Sequence, residues 1–322
     1  FRETRGCGFQ VNLYGWENFG DFMYKWQGNY GNLIYDWPYI MWLQFIRSGD
    51  EGFMKLGKEM TDHSVDIDQV KLWNGGGGIW YWETGAGGAM VNGHHKALQG
   101  AGGIISHTWN GGYSLGYLLT GDNRYLEATK RSANAGRAFW SWKARNQDAI
   151  GGQKVKFDQT RSQGWSILML VNEYKITGDM KNLEQAMAIF TNSLLYTEQL
   201  PTSPGSNGGG YILVEKYPDP NIQGRAVVTF LTYPLEPLSE LHYEASKAGL
   251  DAAELEAYLT RSLNWLKDYA FVGGKTNSEG KYSLLTLSYA TDPLNPQNNT
   301  GGQLAHNIHI AGTFGYMHQV LK

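Results

Sequence analysis

The stretch Tyr113–Asp122, with the sequence YSLGYLLTGD, decides the fold of this chain. Its apolar helical pattern ends at Thr120-Gly121-Asp122, and a second helical pattern begins at Tyr125. Glycine readily adopts the left-handed conformation that closes a helix. The aspartate that follows can accept a hydrogen bond from the free N–H groups at the start of the next helix. The tripeptide therefore predicts a tight hairpin of two α-helices.

The same signal recurs along the sequence. Ser48-Gly49-Asp50 and Thr177-Gly178-Asp179 each separate two helical patterns, and Gly249 separates a further pair. Repeated hairpins of this kind predict a mainly α fold, either an open solenoid or a closed α/α toroid. The predicted helices cover Trp37–Ile46, Phe53–Val65, Tyr113–Leu119, Tyr125–Trp142, Ile167–Ile176, Leu183–Leu195, Leu235–Ala248, Ala252–Tyr269 and Ala305–Leu321.

Long glycine-rich connections between the hairpins favour the α/α toroid. Loops of this length are usually functional or mobile, and in a toroid they gather over one end of the ring. Fewer helices are predicted than a complete ring contains, so the ring is either incomplete or includes short helices that the pattern misses. We expect a single domain over residues 1–322, with an irregular, aromatic-rich segment at 1–36.

The composition argues against two classes of partner and favours a sugar. The net charge of −3 and the lack of a basic stripe argue against nucleic acid, and no apolar run is long enough to span a membrane. The 12 Trp and 20 Tyr offer apolar faces with polar edges, which suit sugars but equally suit an aromatic core. Because the chain begins at Phe1 without a leader pattern, we expect a processed chain or a fragment of a secreted, periplasmic or cell-surface protein.

His63 is a candidate catalytic residue near the end of a predicted helix. Asp66 follows three residues later and shares its face if the helix continues, and Asp68 comes two residues after that. The functional interpretation is a cavity-lining histidine oriented by a carboxylate, with both aspartates in contact with substrate. The structural alternative is a histidine stabilised by the helix dipole beside solvated aspartates. No metal site is predicted, although binding of a divalent cation such as calcium stays an open alternative.

Three further histidines lie near the second hairpin. His94 and His95 are adjacent in a glycine-rich loop, where the alternative is plain solvent exposure. His107 opens a predicted helix, whose dipole favours the neutral imidazole that a general base requires. The alternative for His107 is a buried residue beside ordinary helix caps. We take His107 and His95 as candidate bases and His94 as a substrate-binding residue.

Aromatic and charged residues at predicted helix starts complete the candidate site. Trp16 and Asp21 lie in an irregular block, and Trp109 lies beside the base candidate of the second hairpin. Arg161 and Trp165 begin the third hairpin in the corresponding register. The three tryptophans are candidate sugar platforms, Asp21 is a candidate polar contact, and Arg161 is a candidate catalytic cation.

The ordered set of these motifs resembles one family. The Tyr14–Asp21 block, His63 with Asp66 and Asp68, and the segment 106–122 occur in the order seen in the C-terminal α/α-toroid domain of exo-rhamnogalacturonan-lyase-like proteins. The resemblance is good over Tyr14–Phe139, and beyond it only the hairpin pattern matches. Members usually carry β-sandwich domains ahead of the toroid, which this sequence lacks. A further histidine is also expected where this chain has Gln69, Val70 and Lys71.

The resemblance and the residues together predict a polysaccharide lyase. β-Elimination on a uronic-acid polymer, pectic or rhamnogalacturonan-like, needs a group that neutralises the carboxylate and a base near neutral pKa. Arg161 helped by His63 fits the first role, and His107 or His95 fits the second. One alternative is a glycoside hydrolase, which needs a pair of carboxylates, available among Asp21, Asp36, Asp66, Asp68 and Glu83. A non-catalytic glycan-binding or surface-assembly module is the other alternative.

Overall fold

The computed structural model describes residues 35–69, 105, 108–144, 160–199, 226–272 and 302–320, together with short strand segments. Nine α-helices lie in these ranges. They are α1 Trp37–Ser48, α2 Glu51–His63, α3 Gly111–Thr120, α4 Asn123–Ala144, α5 Arg161–Thr177, α6 Met180–Ile189, α7 Val228–Lys247, α8 Ala253–Trp265 and α9 Leu304–Val320. Each predicted helix is present and begins and ends within a few residues of its predicted bounds, with three exceptions. α5 and α7 begin six or more residues earlier, and α6 ends at Ile189, where a π-helical turn continues to the predicted end at Leu195.

Short antiparallel strands occur in the connections. The pairs are β1 Arg2–Thr4 with β2 Gln10–Asn12, β3 Met23–Tyr24 with β4 Asn29–Tyr30, β5 Glu198–Gln199 with β6 Tyr211–Ile212, and β7 Ala226–Val227 with β10 Ala290–Thr291. β9 Thr286–Ser288 pairs with both β8 Phe271–Val272 and β11 Gly302–Gln303. These strands have two or three residues each, so the helices make the core.

The predicted glycine turns close the hairpins. Gly121 has a φ of 70° and donates its N–H to the carbonyl of Tyr117 at 2.7 Å. A side chain at such a φ is strained because its Cβ crowds the backbone. The four glycines that end helices in this conformation are Gly49, Gly121, Gly178 and Gly249.

The aspartates after these glycines accept hydrogen bonds from the next helix, as the sequence predicts. Asp50 accepts from the N–H of Gly52 at 2.7 Å, and Asp122 accepts from the N–H of Arg124 at 2.9 Å. The fourth hairpin uses the same device two residues after its glycine, because Asp251 accepts from the N–H of Ala253 at 3.1 Å.

The hydroxyl residue of each tripeptide has a role that the sequence analysis missed. Thr120 Oγ1 donates to the carbonyl of Gly116 at 2.7 Å and accepts the N–H of Asp122 at 3.2 Å. Ser48 and Thr177 make the same pair of contacts in their own turns. The hydroxyl therefore links the last turn of one helix to the residue that caps the next.

A π-helical turn follows the second helix of three hairpins. These turns cover Ser64–Asp68, Phe190–Leu195 and Leu266–Ala270. A π turn changes the angular spacing of side chains and is often found at functional sites. The first of the three turns carries two predicted site residues, Asp66 and Asp68.

The chain divides into two compact units, each with its own core. The first unit comprises Phe1–Asn146 and Met169–Asn182, and the second comprises Gln147–Leu168 and Leu183–Lys322. The prediction of one domain over residues 1–322 stays a prediction. In the part of the chain that the structure describes, no helix is both long and apolar enough to cross a membrane.

In the first unit, α1 packs against α2 and α3, and α3 packs against α4. Trp42 is completely buried at the centre and donates its indole N–H to Thr61 Oγ1 at 2.9 Å. Glycine at position 57 is required by this packing, because a Cβ there would lie 2.8 Å from the Trp42 ring. The core cluster comprises Trp42, Val65, Tyr113, Tyr125 and Ala128.

In the second unit, α7 packs against α8 and α9. Phe190 and Tyr258 meet edge to face with ring centroids 5.3 Å apart. Arg261 donates two hydrogen bonds of 2.8 Å to the carboxylate of Glu198, whose side chain is buried. This bidentate pair fastens α8 to the segment that follows α6.

Candidate functional site

Asp36 joins the starts of two helices. Its carboxylate accepts the N–H of Tyr39 at 3.4 Å, which caps α1. The N–H of Gly112, in the first turn of α3, donates to both carboxylate oxygens at 3.1 and 3.2 Å. One half-buried carboxylate therefore satisfies free N–H groups at the N-terminal ends of both helices.

Two glycines allow this close approach. A Cβ at Gly111 would lie 2.8 Å from a carboxylate oxygen of Asp36, and a Cβ at Gly112 would lie 2.5 Å from Pro38. Any larger residue at either position would push α3 away from α1. The Gly111-Gly112 pair is thus the sequence signal for a close contact at this helix start.

Burial changes the acidity of Asp36. Loss of water around the carboxyl group raises its pKa from 3.8 to about 6, and the N–H groups of Gly112, Tyr39 and Gly111 oppose this rise. A carboxyl group with such a pKa exchanges its proton near neutral pH, which is what a general acid or base requires.

The backbone at Asp36 is strained. Tyr35 and Asp36 have φ values of 61° and 56°, and they are the only non-glycine residues with positive φ in the part of the chain that the structure describes. The left-handed conformation costs an L-residue about 1–2 kcal/mol, more readily tolerated by Asp than by a bulky aromatic residue. Such strain persists where the surrounding contacts hold it, and it is concentrated at functional sites.

Aromatic residues flank Asp36 in the sequence, and one of them, Tyr35, packs against Trp109. The ring of Tyr35 lies 5.8 Å from that of Trp109 at a tilt of 51°, and 38% of Tyr35 is exposed. Trp37, the first residue of α1, is 41% exposed, whereas Trp109 is only 4% exposed. We call Tyr35, Asp36, Trp37 and Trp109 the Asp36 site.

His63 is buried beside Asp68 rather than Asp66. Its Nε2 lies 3.7 Å from Oδ1 of Asp68, and both side chains are at most 1% exposed. The reason is the π-helical turn after α2, because i→i+5 spacing brings Asp68 to the face where α-helical spacing would have placed Asp66. His63 therefore belongs to a buried polar pair in this structure.

Asp66 lies on the outside of the first unit. Its side chain is 49% exposed, and its Oδ2 is 3.8 Å from Nη1 of Arg124. Arg124 is held by closer contacts to Asp62 and Asp122, at 2.9 and 2.8 Å. Asp66 thus contributes to an exposed charge network, and such pairs add little stability.

Tyr113 connects the buried pair electrostatically to Asp36. Burial first, and then the negative charges of Asp68 and Asp36, hold the pKa of Tyr113 well above its usual value, while a hydrogen bond with Ser64 and the charge of Arg131 oppose the rise. The phenol therefore keeps its proton at any physiological pH. In the sequence, Tyr113 lies in an apolar helical pattern, and this pattern identifies it only as a core residue.

Buried amides support the start of α3. Asn110 donates to the carbonyl of Met169 at 3.0 Å, and its own oxygen accepts from Asn172 at 2.9 Å. Asn110 and Asn172 are both buried. These bonds hold Asn110, the residue that follows Trp109, in place. They therefore also position Trp109, against which the ring of Tyr35 packs.

Arg161 and Trp165 lie in the second unit and share one aromatic partner. The guanidinium carbon of Arg161 is 5.6 Å from the ring centroid of Tyr233, and the ring of Trp165 is 5.8 Å from the same ring. Trp165 is 4% exposed. Gly164 allows this packing because a Cβ there would lie 2.9 Å from the backbone of Pro234. The structure thus brings Arg161 and Trp165 to the same aromatic ring.

The other predicted site residues lie outside the described residues. They are Trp16, Asp21, His94, His95 and His107, together with the alternative carboxylate Glu83. Within the described ranges, no group of three or more His, Cys, Asp or Glu side chains is placed to hold a metal ion. Asp36 was named only as an available carboxylate, although a stronger signal was present: an Asp immediately before Trp37-Pro38 marks a helix cap.

Comparisons with known proteins rest on structure. By sequence, no family model and no curated protein matches this chain. By structure, the chain is similar to a variant of the protein UGL solved with dGlcA-Glc-Rha-Glc, with a TM-score of 0.52 and 14% identity over 87% of this chain and 71% of UGL. This similarity confirms the predicted fold class, the mainly α, α/α toroid of helical hairpins. It does not single out the exo-rhamnogalacturonan-lyase-like family.

Two further matches have lower TM-scores. An unsaturated glucuronyl hydrolase from Streptococcus agalactiae, complexed with dGlcA-GalNAc6S, has a TM-score of 0.43 and 12% identity over 81% of this chain. This chain spans 54% of that enzyme's length. An unsaturated glucuronyl hydrolase specific for heparin has a TM-score of 0.37 and 12% identity, with 100% of this chain and 91% of that chain covered.

Proposed function

We propose that this chain is a carbohydrate-active enzyme that hydrolyses uronic-acid-containing oligosaccharides, with Asp36 as the proton donor. The observation that carries the proposal is Asp36, a half-buried residue at a helix start whose burial raises the pKa of its carboxyl group to about 6 and whose sequence neighbours, Tyr35 and Trp37, are exposed aromatic residues. Hydrolysis was the alternative to β-elimination in the sequence analysis, and the geometry of the described residues supports it better.

The raised pKa supplies what acid catalysis of glycoside cleavage needs. A glycoside hydrolase uses a carboxylic acid with a raised pKa to protonate the oxygen of the departing sugar. At pH 6 about half of the Asp36 carboxyl groups carry a proton, whereas an aspartate of ordinary pKa carries a proton in less than about 1% of molecules. The N–H groups of Gly112 and Tyr39 stabilise the carboxylate that remains after the proton has left.

Asp68 has a different role from Asp36. Its side chain is completely buried in this structure, and its contact with substrate stays a prediction. The negative charge of Asp68 contributes to the raised pKa of Tyr113, and its Oδ1 lies 3.7 Å from Nε2 of His63. The proposal therefore assigns one catalytic role, the acid, to the described residues.

β-Elimination receives less support from the same residues. Its candidate bases, His107 and His95, lie outside the described residues. His63 is buried against Asp68, and the guanidinium of Arg161 packs on an aromatic ring. The sugar held by UGL includes dGlcA, a uronic-acid derivative, and this supports the same substrate class for the present chain.

A panel of substrates tests the proposal. The purified chain is incubated with oligosaccharides that end in an unsaturated uronyl residue and with intact pectic and other uronic-acid polysaccharides. Absorbance of the C4–C5 double bond in the far ultraviolet and newly formed reducing ends are followed together. We expect reducing ends without any gain in double-bond absorbance.

The other outcomes separate the rival functions. New double-bond absorbance from an intact polysaccharide would identify a lyase and overturn the hydrolase proposal. Binding of the sugars without turnover would identify a glycan-binding module. A secreted, periplasmic or cell-surface location belongs to the same proposal, and fractionation of the producing cells would test it.

A further inference from the structure

The Asp36 site contains an aromatic side chain in an unusual position. Tyr35 adopts a left-handed backbone conformation, which is rare for a bulky residue. Despite this, 38% of the residue is exposed instead of being folded into the core. A strained backbone conformation of this kind is concentrated at functional sites.

The contacts of Tyr35, the residue immediately before Asp36, hold its ring in place. On one side, the ring packs against Trp109 at a centroid distance of 5.8 Å. Along the chain, the next residue is Asp36, whose carboxylate is tied to α1 and α3. The ring of Tyr35 is therefore held against Trp109, one residue before the proposed proton donor, and 38% of Tyr35 is exposed.

The tryptophans predicted from the sequence offer less surface to a sugar. Trp109 and Trp165 are each only 4% exposed, so both indoles are covered in this structure. Their role as sugar platforms stays a prediction. Within the Asp36 site, the open aromatic surface belongs to Tyr35 and Trp37.

We infer that Tyr35 is the residue of the Asp36 site on which a pyranose ring stacks, with Trp109 as the wall that holds the tyrosine ring in place. This inference rests on the proposed function. The apolar CH face of a pyranose matches an aromatic face, and the sugar oxygen to be protonated then lies near Asp36. Tyr35 is a substrate-binding residue, and Trp109 is a positioning residue.

Three substitutions of Tyr35 test the inference. Tyr35→Phe keeps the ring, Tyr35→Ala removes it, and Tyr35→Gly removes it while also relieving the left-handed strain. Turnover of an oligosaccharide ending in an unsaturated uronyl residue and calorimetric binding of the same compound are measured for each variant. Tyr243→Ala is the matched control, because Tyr243 is a 52% exposed tyrosine in the second unit.

The expected result is a change in KM without a change in kcat. Loss of one aromatic stacking contact raises KM and the dissociation constant by about tenfold in Tyr35→Ala and Tyr35→Gly. Their kcat stays within about twofold of wild type, since such a contact holds ground state and transition state alike. Tyr243→Ala retains wild-type values, and Tyr35→Phe, which keeps the ring, raises KM and the dissociation constant less than Tyr35→Ala does. Tyr35→Gly also unfolds at a higher temperature than Tyr35→Ala, since only glycine relieves the strain.

Several results would overturn the inference. An unchanged KM and dissociation constant in Tyr35→Ala and Tyr35→Gly would show that the ring does not contact the sugar. A fall in kcat for Tyr35→Phe would assign the role to the hydroxyl group instead of the ring. Wild-type binding without turnover would defeat the proposed hydrolysis alone, and the calorimetric comparison would still decide the role of Tyr35. A wild-type chain that neither binds nor cleaves the compound would overturn both.

Discussion

Asp36 and Asp122 perform the same structural task at opposite ends of the α3 helix, in very different surroundings. Asp122 follows the turn after α3 and caps α4, accepting the N–H of Arg124 at 2.9 Å. Asp36 caps α1 and also receives the N–H of Gly112 at the start of α3. Each aspartate thus satisfies backbone N–H groups at a helix start.

Their acidities are shifted in opposite directions. A hydrogen bond with the Arg124 side chain lowers the pKa of Asp122, whereas burial raises the pKa of Asp36 to about 6. The first aspartate is a permanently charged part of the scaffold, and the second can hold a proton near neutral pH. The comparison shows that helix capping does not by itself set the pKa of an aspartate. The surroundings of the carboxylate determine whether it can hold a proton near neutral pH.

The largest expected effect is the difference in catalytic activity between substitutions of the two aspartates. Asp36→Asn keeps a side chain that caps helices but cannot donate a carboxyl proton, so we expect kcat/KM to fall by at least about 100-fold. Asp122→Asn, the matched control, keeps full activity below its unfolding temperature. The check is steady-state kinetics on the substrate cleaved by wild type, and a larger loss in Asp122→Asn would reverse the assignment.

The pH dependence of stability should also differ between the two aspartates. Since the pKa of Asp36 is about 6 in the folded chain and 3.8 for an ordinary, water-exposed aspartate, its contribution to stability is present below pH 3.8 and is lost as pH rises through 6. A shift of about 2 units corresponds to at most roughly 3 kcal/mol. We therefore expect wild type to lose stability relative to Asp36→Asn over this window in chemical unfolding experiments.

Asp122 should show the opposite sign. Its pKa is lowered on folding, so the stability it adds is present above the unfolded value and is lost as pH falls through the folded value. Parallel pH curves for wild type and both Asn variants would show that neither shift exists.

Glycine substitutions at the two ends of α3 should differ in their effect on activity. Gly112→Ala places a Cβ 2.5 Å from Pro38 and 2.9 Å from Asp36, so we expect a loss of about 1–3 kcal/mol in stability together with reduced turnover. Gly121→Ala has space for its Cβ but a φ of 70°, and it should lose about 1–2 kcal/mol with activity retained. Denaturant unfolding measures the stability of both variants, and steady-state kinetics on the folded proteins measures their turnover. Equal losses of turnover in the two variants would contradict the predicted difference.

The smallest expected effect concerns the hydroxyl of the hairpin turn. Thr120→Val removes the bond to the carbonyl of Gly116 and the acceptor for the N–H of Asp122, and should cost about 1 kcal/mol without changing KM or kcat. Thr120→Ser keeps the hydroxyl and is the control. A Thr120→Val protein as stable as wild type would mean that water replaces both bonds.

The hairpin turn at the C-terminal end of α3 depends on short local sequence patterns. For this reason it could be predicted from the sequence. A left-handed glycine and a capping aspartate act within a few residues of one another, so Gly121 and Asp122 carry their own structural meaning. The prediction of an α/α toroid of helical hairpins followed from their repetition. The role of Thr120 was missed although it too is local, because a threonine at the end of a helix has several uses.

The arrangement at the N-terminal end of α3, where Asp36 lies, depends on contacts between residues far apart in sequence. Asp36 and Gly112 are 76 positions apart, and no sequence period links them. The pairing of His63 with Asp68 required a π-helical turn, which helical periodicity does not reveal. Burial of Trp109 depends on packing by residues remote in sequence, so its spacing alone did not distinguish an open platform from a buried wall.

The protonation of Asp36 can be measured directly and without a substrate. Carboxyl-carbon NMR spectra are recorded across a pH titration of the wild-type chain, and the Asp36 resonance is assigned by its absence in Asp36→Asn. We expect that resonance to titrate with a midpoint near pH 6. A midpoint at or below 3.8 would show a permanently ionised cap like Asp122, and would contradict the role of Asp36 as proton donor.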